Sequence, residues 1–244
     1  MATNPMHQFQ VYRVGPEISI GGINLSFTNA SLFMLVSSLL ILLMLFLGTK
    51  KKLLVPTKMQ LMAEMSYAFI AKMINDTAGS KAKPFFPFIF TLFMFVLFCN
   101  MVGMLPYSFT VTSHIIVTFI LASIVFIGVT IIGFIKHGIK YLELFVPKGV
   151  PVVLLPLIVV IEIISYLSRP VSLSVRLFAN MMAGHTMLKV FGGFVISLGL
   201  LGGWLPLGFS VALTGLEILV AFLQAYVFAI LTCIYLNDAL NLHH

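Results

Sequence analysis

One mostly apolar stretch carries polar and charged side chains at helical intervals: Glu162-Ile-Ile-Ser-Tyr-Leu-Ser-Arg169-Pro-Val-Ser-Leu-Ser-Val-Arg176-Leu-Phe-Ala-Asn180-Met-Met-Ala-Gly-His185. Glu162, Arg169 and Arg176 are seven residues apart, and Asn180 follows four residues later. Residues at these spacings fall on one side of an α-helix. The stretch therefore predicts an apolar helix with one polar stripe.

Arg176 is the unusual member of the stripe, because its guanidinium stays protonated at any accessible pH. A charge in the middle of a membrane costs at least ~2.5–3.5 kcal/mol, so such residues usually face a protein interior or water and mark function. Along a helix, Glu162 and Arg176 would be roughly 21 Å apart, too far for a salt bridge. His185 lies nine residues beyond Arg176, on the opposite side of an ideal helix, although Gly184 or a bend leaves that angle open.

The composition indicates an integral membrane protein. The chain has 244 residues, of which 60% are hydrophobic and only 9% are charged, with a mean hydropathy of +1.12. Soluble domains carry about 25% charged residues. Because the apolar runs are long and uninterrupted, they predict helices rather than barrel strands.

The net charge of +7 is concentrated in the connections between apolar runs, which favours a membrane orientation signal over nucleic-acid binding. The inner side of a membrane protein is enriched in Lys and Arg. Three connections on one side of a serpentine path hold ten of the fourteen basic residues: Lys50, Lys51, Lys52, Lys58, Lys72, Lys81, Lys83, Lys136, Lys140 and Lys148.

Cys99 and Cys233 have no metal or redox spacing, and we expect no metal and no cofactor.

We predict an all-α integral membrane protein made of five segments. Residues 1–28 form an irregular segment on the outer side, and residues 29–48 form a first transmembrane helix. Residues 57–78 form an amphipathic helix at the inner interface, and residues 84–136 form a transmembrane hairpin. Residues 150–240 form a long, strongly tilted hairpin that carries the ionisable groups.

The amphipathic segment has Met62, Met65, Phe69 and Met73 at three- and four-residue intervals, with Glu64 on the other side. This pattern favours a helix lying at the inner interface. A solvated connecting helix is the alternative.

The last hairpin is too long to stand upright in a membrane. Residues 150 to about 192 contain no convincing loop and would extend ~60 Å as one helix, about twice the ~30 Å hydrocarbon core. A helix tilted near ~60° fits the length, but that exceeds the usual tilt range and needs a partner surface. We expect a kink rather than an end at Pro170. The glycine-rich residues 192–206 are predicted to form the turn before a second slanted helix, 207–240.

The ionisable groups of this hairpin fall into two clusters. His185 and Glu217 lie near the glycine-rich turn, so both are predicted near the outer face. Glu162 and Asp238 lie toward the other ends of the two arms, near the inner face. Arg176 falls between the clusters, where its positive charge opposes the direct passage of protons. This arrangement predicts two half-channels without a continuous pore.

Asn100 and His114 lie near the outer turn of the transmembrane hairpin. They line an aqueous entry or satisfy the backbone of the turn, and the second interpretation is slightly favoured because both are near an interface.

Three motifs resemble those of subunit a of rotary (F-type) ATP synthases. They are the stretch from Arg169 to His185, the later Glu217-Ile-Leu-Val-Ala-Phe-Leu-Gln224-Ala-Tyr-Val-Phe, and Asn100-Met-Val-Gly-Met-Leu-Pro106. The order of His at 185 and Glu at 217 is similar to that of mitochondrial and related bacterial chains. The resemblance covers the chain from about Asn29 to its end.

The resemblance implies a proton-translocating stator subunit that is not catalytic alone. By that likeness Arg176 is the essential arginine facing the carboxylates of a c-subunit ring. His185 and Glu217 belong to the outer half-channel, and Glu162 with Asp238 to the inner one. A carboxylate on the ring would release its proton inward near Arg176 and be reloaded from the outer cluster.

The other implied partners are peripheral-stalk b-type subunits, the rest of the ATP synthase complex and the lipid bilayer. Asn180 and Gln224 match polar neighbours of the arginine, and Arg169 matches a basic position with an expected structural role. The implied location is an energy-coupling inner membrane, bacterial or mitochondrial, with the N-terminus outside and the C-terminus on the ATP-synthesising side.

Two other classes of protein use buried charges, secondary transporters and ion channels. Transporters often contain repeats and paired broken helices, and neither is evident in this sequence. A passive membrane scaffold does not explain charges at such depth.

Overall fold

The structure is a computed structural model that describes residues 9–14, 19–20, 23–24, 26–50, 55–105, 108–146 and 154–241. Its α-helices are α1 (Asn29–Lys50), α2 (Lys58–Ala78), α3 (Phe86–Gly103), α4 (Ile115–His137), α5 (Leu155–Gly202) and α6 (Trp204–Leu240). Short 3-10 helices span Ser80–Phe85, Val111–Ser113 and Gly138–Phe145. Two antiparallel two-residue strands, β1 (Ser19–Ile20) and β2 (Ile23–Asn24), precede α1.

The predicted all-α membrane class is confirmed. Five helical segments of the described chain are long and apolar enough to cross a membrane: Asn29–Lys50, Ser80–Gly103, Ile115–Leu142, Leu155–Gly199 and Trp204–Leu240. Many of their large apolar side chains are exposed, such as Leu42 and Ile116. Such exposure is expected where lipid or a partner protein covers the surface. The chain is therefore a multi-pass membrane protein.

The helix ends separate into two groups, as a serpentine path requires. The Nζ of Lys81, before α3, donates to Oδ1 of Asn241, just after α6, at 2.8 Å. The His137 ring, at the end of α4, lies 3.4 Å from the carbonyl of Leu240. The basic connections and the C-terminal end therefore share one side, the side predicted to be inner. Lys51, Lys52 and Lys148 lie outside the described residues.

The helix α2 has apolar side chains on two sides rather than on the single face predicted for it. Thr57 caps it by accepting from the backbone N–H of Gln60. Ile70 and Ile74 are buried against the neighbouring helices, whereas Met62 and Met65 of the predicted apolar stripe are exposed. This helix thus has two apolar sides, one packed on the protein and one free for lipid or another subunit.

The two long helices α5 and α6 pack against each other. The helix α4 packs on both of them, and α3 packs on α6. With 48 and 37 residues, α5 and α6 extend about 72 and 56 Å at ~1.5 Å per residue. The helix α5 continues through Pro170, and its non-helical torsion angles are at Gly199, with φ 60° and ψ −156°. Glycine adopts this positive φ without the steric cost of a Cβ.

The predicted turn over residues 192–206 is wrong in its extent. Residues 192–198 remain helical, and α6 begins at Trp204. The adjacent Gly192 and Gly193 lower helix propensity, but tertiary packing of long apolar helices overrides that preference. Residues 150–153 of the predicted hairpin and Pro106 and Tyr107 of the predicted outer turn lie outside the described residues.

Candidate functional site

His185 on α5 and Glu217 on α6 form the closest polar contact between the two arms near their turn. The Nδ1 of His185 lies 2.9 Å from Oε1 of Glu217. Both residues are buried, with exposed fractions of 8% and 5%. The contact is close without being an aligned hydrogen bond, because Glu217 Oε1 has no partner in hydrogen-bond geometry. An imidazole and a carboxylate thus share one buried site.

Gly184 creates the space for this carboxylate. A Cβ at position 184 would lie 2.7 Å from Oε1 and 3.0 Å from the carboxyl carbon of Glu217. Real Cβ atoms do not approach an oxygen this closely, so any larger residue would displace the Glu217 side chain. The glycine before His185 therefore belongs to the site.

We expect Gly184→Ala to reduce proton transport by about tenfold, because the displaced carboxylate would lose its 2.9 Å contact with His185. Overpacking of this kind also costs roughly 1–3 kcal/mol of stability. Proton pumping by assembled complexes would measure the effect. The control is Gly192→Ala, because a Cβ at position 192 meets nothing within 4 Å. Equal activity of the two variants would contradict the expectation.

A cavity of about 740 Å³ reaches the site from the end of the molecule where α1 begins. Its lining includes His185, Lys189, Tyr12 and Asn29. Within the described residues, His185 Nε2 and Glu217 Oε2 are buried without a hydrogen-bond partner. Buried polar groups are usually paired with protein or water, and this cavity is large enough for many waters. The cavity opens onto His185, which lies 2.9 Å from Glu217.

Arg176 is exposed on the side of α5, unlike the buried His185. Val171 and Val175 beside it are also exposed, by 48% and 43%. Among the described residues, Arg176 has neither an ion pair nor a hydrogen bond. A guanidinium facing lipid is costly, so water or a polar group is expected beside Arg176.

Three further predicted site residues, Asn180, Gln224 and Glu162, lie on the same two helices as Arg176 and the His185–Glu217 pair. Asn180 is half-buried one helical turn away on the same side of α5. Gln224 is half-buried on α6, and Glu162 is half-buried fourteen residues before Arg176, roughly 21 Å along the helix. No ion pair joins Glu162 to another residue in the part of the chain that the structure describes.

Asp238 lies in a different environment from Glu162. Its Oδ2 accepts from Nη1 of Arg169 at 3.2 Å. The Arg169 guanidinium also lies over the rings of Tyr166 and Tyr235, with distances to the ring centroids of 5.3 and 5.0 Å. The two carboxylates assigned to the inner side thus differ, because one is paired with a cation and the other is not.

The family model for the ATP synthase A chain matches residues 31–237. The chain is 81% identical over 244 residues to the ATP synthase subunit a of Pelagibacter ubique (strain HTCC1062), with the whole of both chains aligned. It is 61% identical over 250 residues to the ATP synthase subunit a of Chelativorans sp. (strain BNC1), again with both chains covered completely. The ATP synthase subunit a of Rhizobium rhizogenes is 60% identical over 247 residues, covering 99% of this chain and 98% of the relative.

The chain belongs to the ATP synthase A chain family. The family inferred from the three motifs is therefore confirmed. The matched region contains α5 and all but the last three residues of α6, and it includes the site residues named above except Tyr12, Asn29 and Asp238.

In this member of the family, the amide of Asn100 bonds to α6 rather than to the described backbone of the outer turn. It is fully buried, and its Nδ2 donates to the backbone carbonyl of Ala221 on α6 at 3.2 Å. The carbonyl of Gly103, at the turn, instead accepts from the hydroxyls of Ser108 and Thr110. Asn100 therefore fixes α3 to α6 one turn beyond Glu217.

His114 stacks on Phe109, with ring centroids 4.9 Å apart, and its Nε2 is buried without a partner among the described residues. Burial lowers the pKa of His114 below its ordinary value of 6.5, because desolvation disfavours the imidazolium. The residues lining the large cavity include Phe109 but neither Asn100 nor His114. An entry role for these two residues stays a prediction.

The cavity residues Tyr12, Asn29 and Lys189 were not predicted from the sequence as parts of the site. Their spacing carries no signal, because they come from three separate segments. Gly184 offered a signal in principle, since it precedes His185 within the motif shared with the A chain family. The tyrosines around Arg169 offered none, because aromatic residues are common in apolar helices.

Proposed function

We propose that this chain, as the a subunit of a rotary ATP synthase, translocates protons through two offset half-channels. The exposed position of Arg176 supports this proposal most directly. A permanently charged side chain lies on an apolar surface of a membrane helix, where an opposing charge on a partner would compensate it. A rotating ring of c subunits, each with a buried carboxylate, is the proposed partner.

The outer half-channel would comprise the large cavity and the pair of His185 and Glu217 at its inner end. Water in the cavity delivers protons to a site where an imidazole and a carboxylate lie 2.9 Å apart. Imidazole and carboxylate groups are among those that most often transfer protons in proteins. Gln224, two turns further along α6, extends the polar path from Glu217 toward the ring surface.

The inner half-channel would run along α5 from Arg176 toward Glu162. The positive charge of Arg176 favours the ionised form of a ring carboxylate that faces it, so the carboxylate releases its proton there. Asn180, one turn away, supplies a neutral hydrogen-bonding neighbour. The same charge keeps protons from moving directly between the two half-channels. Each proton falling through 100 mV supplies ~2.3 kcal/mol to drive rotation.

The proposed orientation has the C-terminus on the ATP-synthesising side and the N-terminus outside, and the distribution of basic residues in the connections supports it. The proposed membrane is a bacterial or mitochondrial inner membrane. The exposed apolar side of α2 is available to peripheral-stalk b-type subunits. Bond formation in ATP occurs elsewhere in the complex, so this chain is not an enzyme by itself.

Disulfide cross-linking tests the proposed ring contact. We expect Val175→Cys to cross-link to a cysteine introduced beside the ring carboxylate, because Val175 is exposed next to Arg176. The matched control is Leu43→Cys on α1, which is 51% exposed but belongs to a helix that packs on α2 and α3. The native Cys99 and Cys233 are buried and should contribute little background. Equal cross-linking at both positions, or none at Val175→Cys, would contradict the ring contact.

A further inference from the structure

We infer that Arg169 and Asp238 form a positioning pair that sets the rotation of α5, and that Asp238 is not a proton relay. This inference rests on the proposed function, because it gives different roles to Glu162 and Asp238, the two carboxylates predicted near the inner face. Glu162 is left as the carboxylate of the proton exit. The contact between Arg169 Nη1 and Asp238 Oδ2, at 3.2 Å, is the starting observation.

The surroundings of Arg169 are those of a fixed side chain. The rings of Tyr166 from α5 and Tyr235 from α6 both contact its guanidinium, with centroids at 5.3 and 5.0 Å. Cation–π contacts of this kind hold an arginine in one orientation. The side chains of Arg169 and Asp238 are 23% and 36% exposed, so the pair is partly withdrawn from solvent.

Hydrogen bonds extend this cluster to the helix behind it. The hydroxyl of Tyr166 lies 2.7 Å from the Thr130 hydroxyl on α4 and 3.0 Å from the Tyr141 hydroxyl. Tyr141 comes from the 3-10 helix after α4 and is 1% exposed, packed against Gly133. The cluster therefore connects α4, the following 3-10 helix, α5 and α6 at their inner ends.

The cavity between the pair and the two tyrosines is too small for a chain of waters. The cavity lined by Tyr166, Arg169, Tyr235 and Asp238 has a volume of about 10 Å³. A single water needs at least about 10–15 Å³ of such space. The outer cavity at His185, by contrast, has about 740 Å³. A chain of waters has no room between Asp238 and Tyr166.

The position of the Arg169–Asp238 pair between α5 and α6 allows it to control the direction in which Arg176 points. Arg169 precedes Arg176 by seven residues, so both lie on the same stripe about 10 Å apart along the axis. Fixing Arg169 against α6 fixes the rotation of α5, and so the direction in which Arg176 points. The His185–Glu217 contact holds α5 on the other side of Arg176. Two contacts between α5 and α6 thus bracket the exposed arginine.

Neutral substitutions in the assembled ATP synthase separate positioning from proton transfer. The variants are Asp238→Asn, Arg169→Gln and the double variant with both changes. Each single variant leaves one charge unpaired, and we expect ATP-driven proton pumping to fall about tenfold in both. The double variant restores a hydrogen-bonding amide pair without any charge, and we expect it to pump within about threefold of the unaltered complex.

The double variant decides the question, because it contains no titratable group at position 238. If it pumps no better than Asp238→Asn, or does not assemble, the positioning role is wrong. A relay role predicts that result, since no second substitution replaces a lost carboxylate. The temperature at which the chain dissociates from the complex gives a second readout, which should be lowered in both single variants and recover in the double variant.

Glu162→Gln, measured in the same assay, keeps the two proposals distinguishable. Under the proposed function it lowers proton pumping while leaving the dissociation temperature unchanged. If Glu162→Gln pumps normally, the assigned exit fails, and the dissociation temperatures still report whether Arg169 and Asp238 act as a pair. If Glu162→Gln is impaired and the double variant is not rescued, the positioning pair fails alone.

Discussion

Replacing Arg176 with Ala is expected to abolish coupled proton transport, with a loss of at least about 100-fold, while the complex still assembles. The side chain is exposed and has no ion pair or hydrogen bond within the described chain, so its removal leaves no unpaired group behind. Its proposed roles, facing the ring carboxylate and separating the half-channels, both require a permanent charge. Proton pumping driven by ATP in membrane vesicles measures the coupled activity.

The matched control for this variant is Lys136→Gln, which removes another exposed cation, at the end of α4. Because Lys136 belongs neither to the lining of the outer cavity nor to α5, we expect coupled pumping to stay within a few-fold of normal. Normal coupled pumping by Arg176→Ala would refute the proposed role, and loss of assembly would show that the arginine has a structural partner instead.

Replacing Glu217 with Gln is expected to lower proton transport by about 100-fold, within the range of 10²–10⁴ that a positioned proton-transfer group contributes. The same is expected of His185→Ala. The two side chains are buried together at 2.9 Å, so the exchanged pair, His185→Glu with Glu217→His, keeps both groups in one site. We expect the exchanged pair to recover to within about tenfold of normal.

Rates of passive proton flux through the membrane sector provide the measurement. A packing role for His185 predicts that the exchanged pair stays as impaired as the single variants, because the imidazole at position 217 would enter the space left by Gly184. Recovery therefore separates proton transfer from packing. Failure of the exchange together with normal flux in Glu217→Gln would remove this pair from the proton path.

The membrane class, the helical segments and the family could be predicted from the sequence, because each depends on local or linear information. Hydropathy and charge placement select the spans, and the seven-residue spacing of Glu162, Arg169 and Arg176 places them on one stripe whatever α5 packs against. His185 and Arg176 fall on opposite sides of α5 because nine residues make two and a half turns of an α-helix. The residues proposed for the proton path were likewise identified from sequence motifs and spacing.

Tertiary structure decided which polar groups meet. Asn100 bonds to a carbonyl 121 residues away, Asp238 pairs with Arg169 across 69 residues, and Gly184 leaves room for Glu217 on another helix. These contacts depend on how neighbouring helices are rotated and shifted along each other, and that geometry results from side-chain packing over the whole bundle. The same packing keeps residues 192–198 helical despite their glycines, so the break occurs at Gly199.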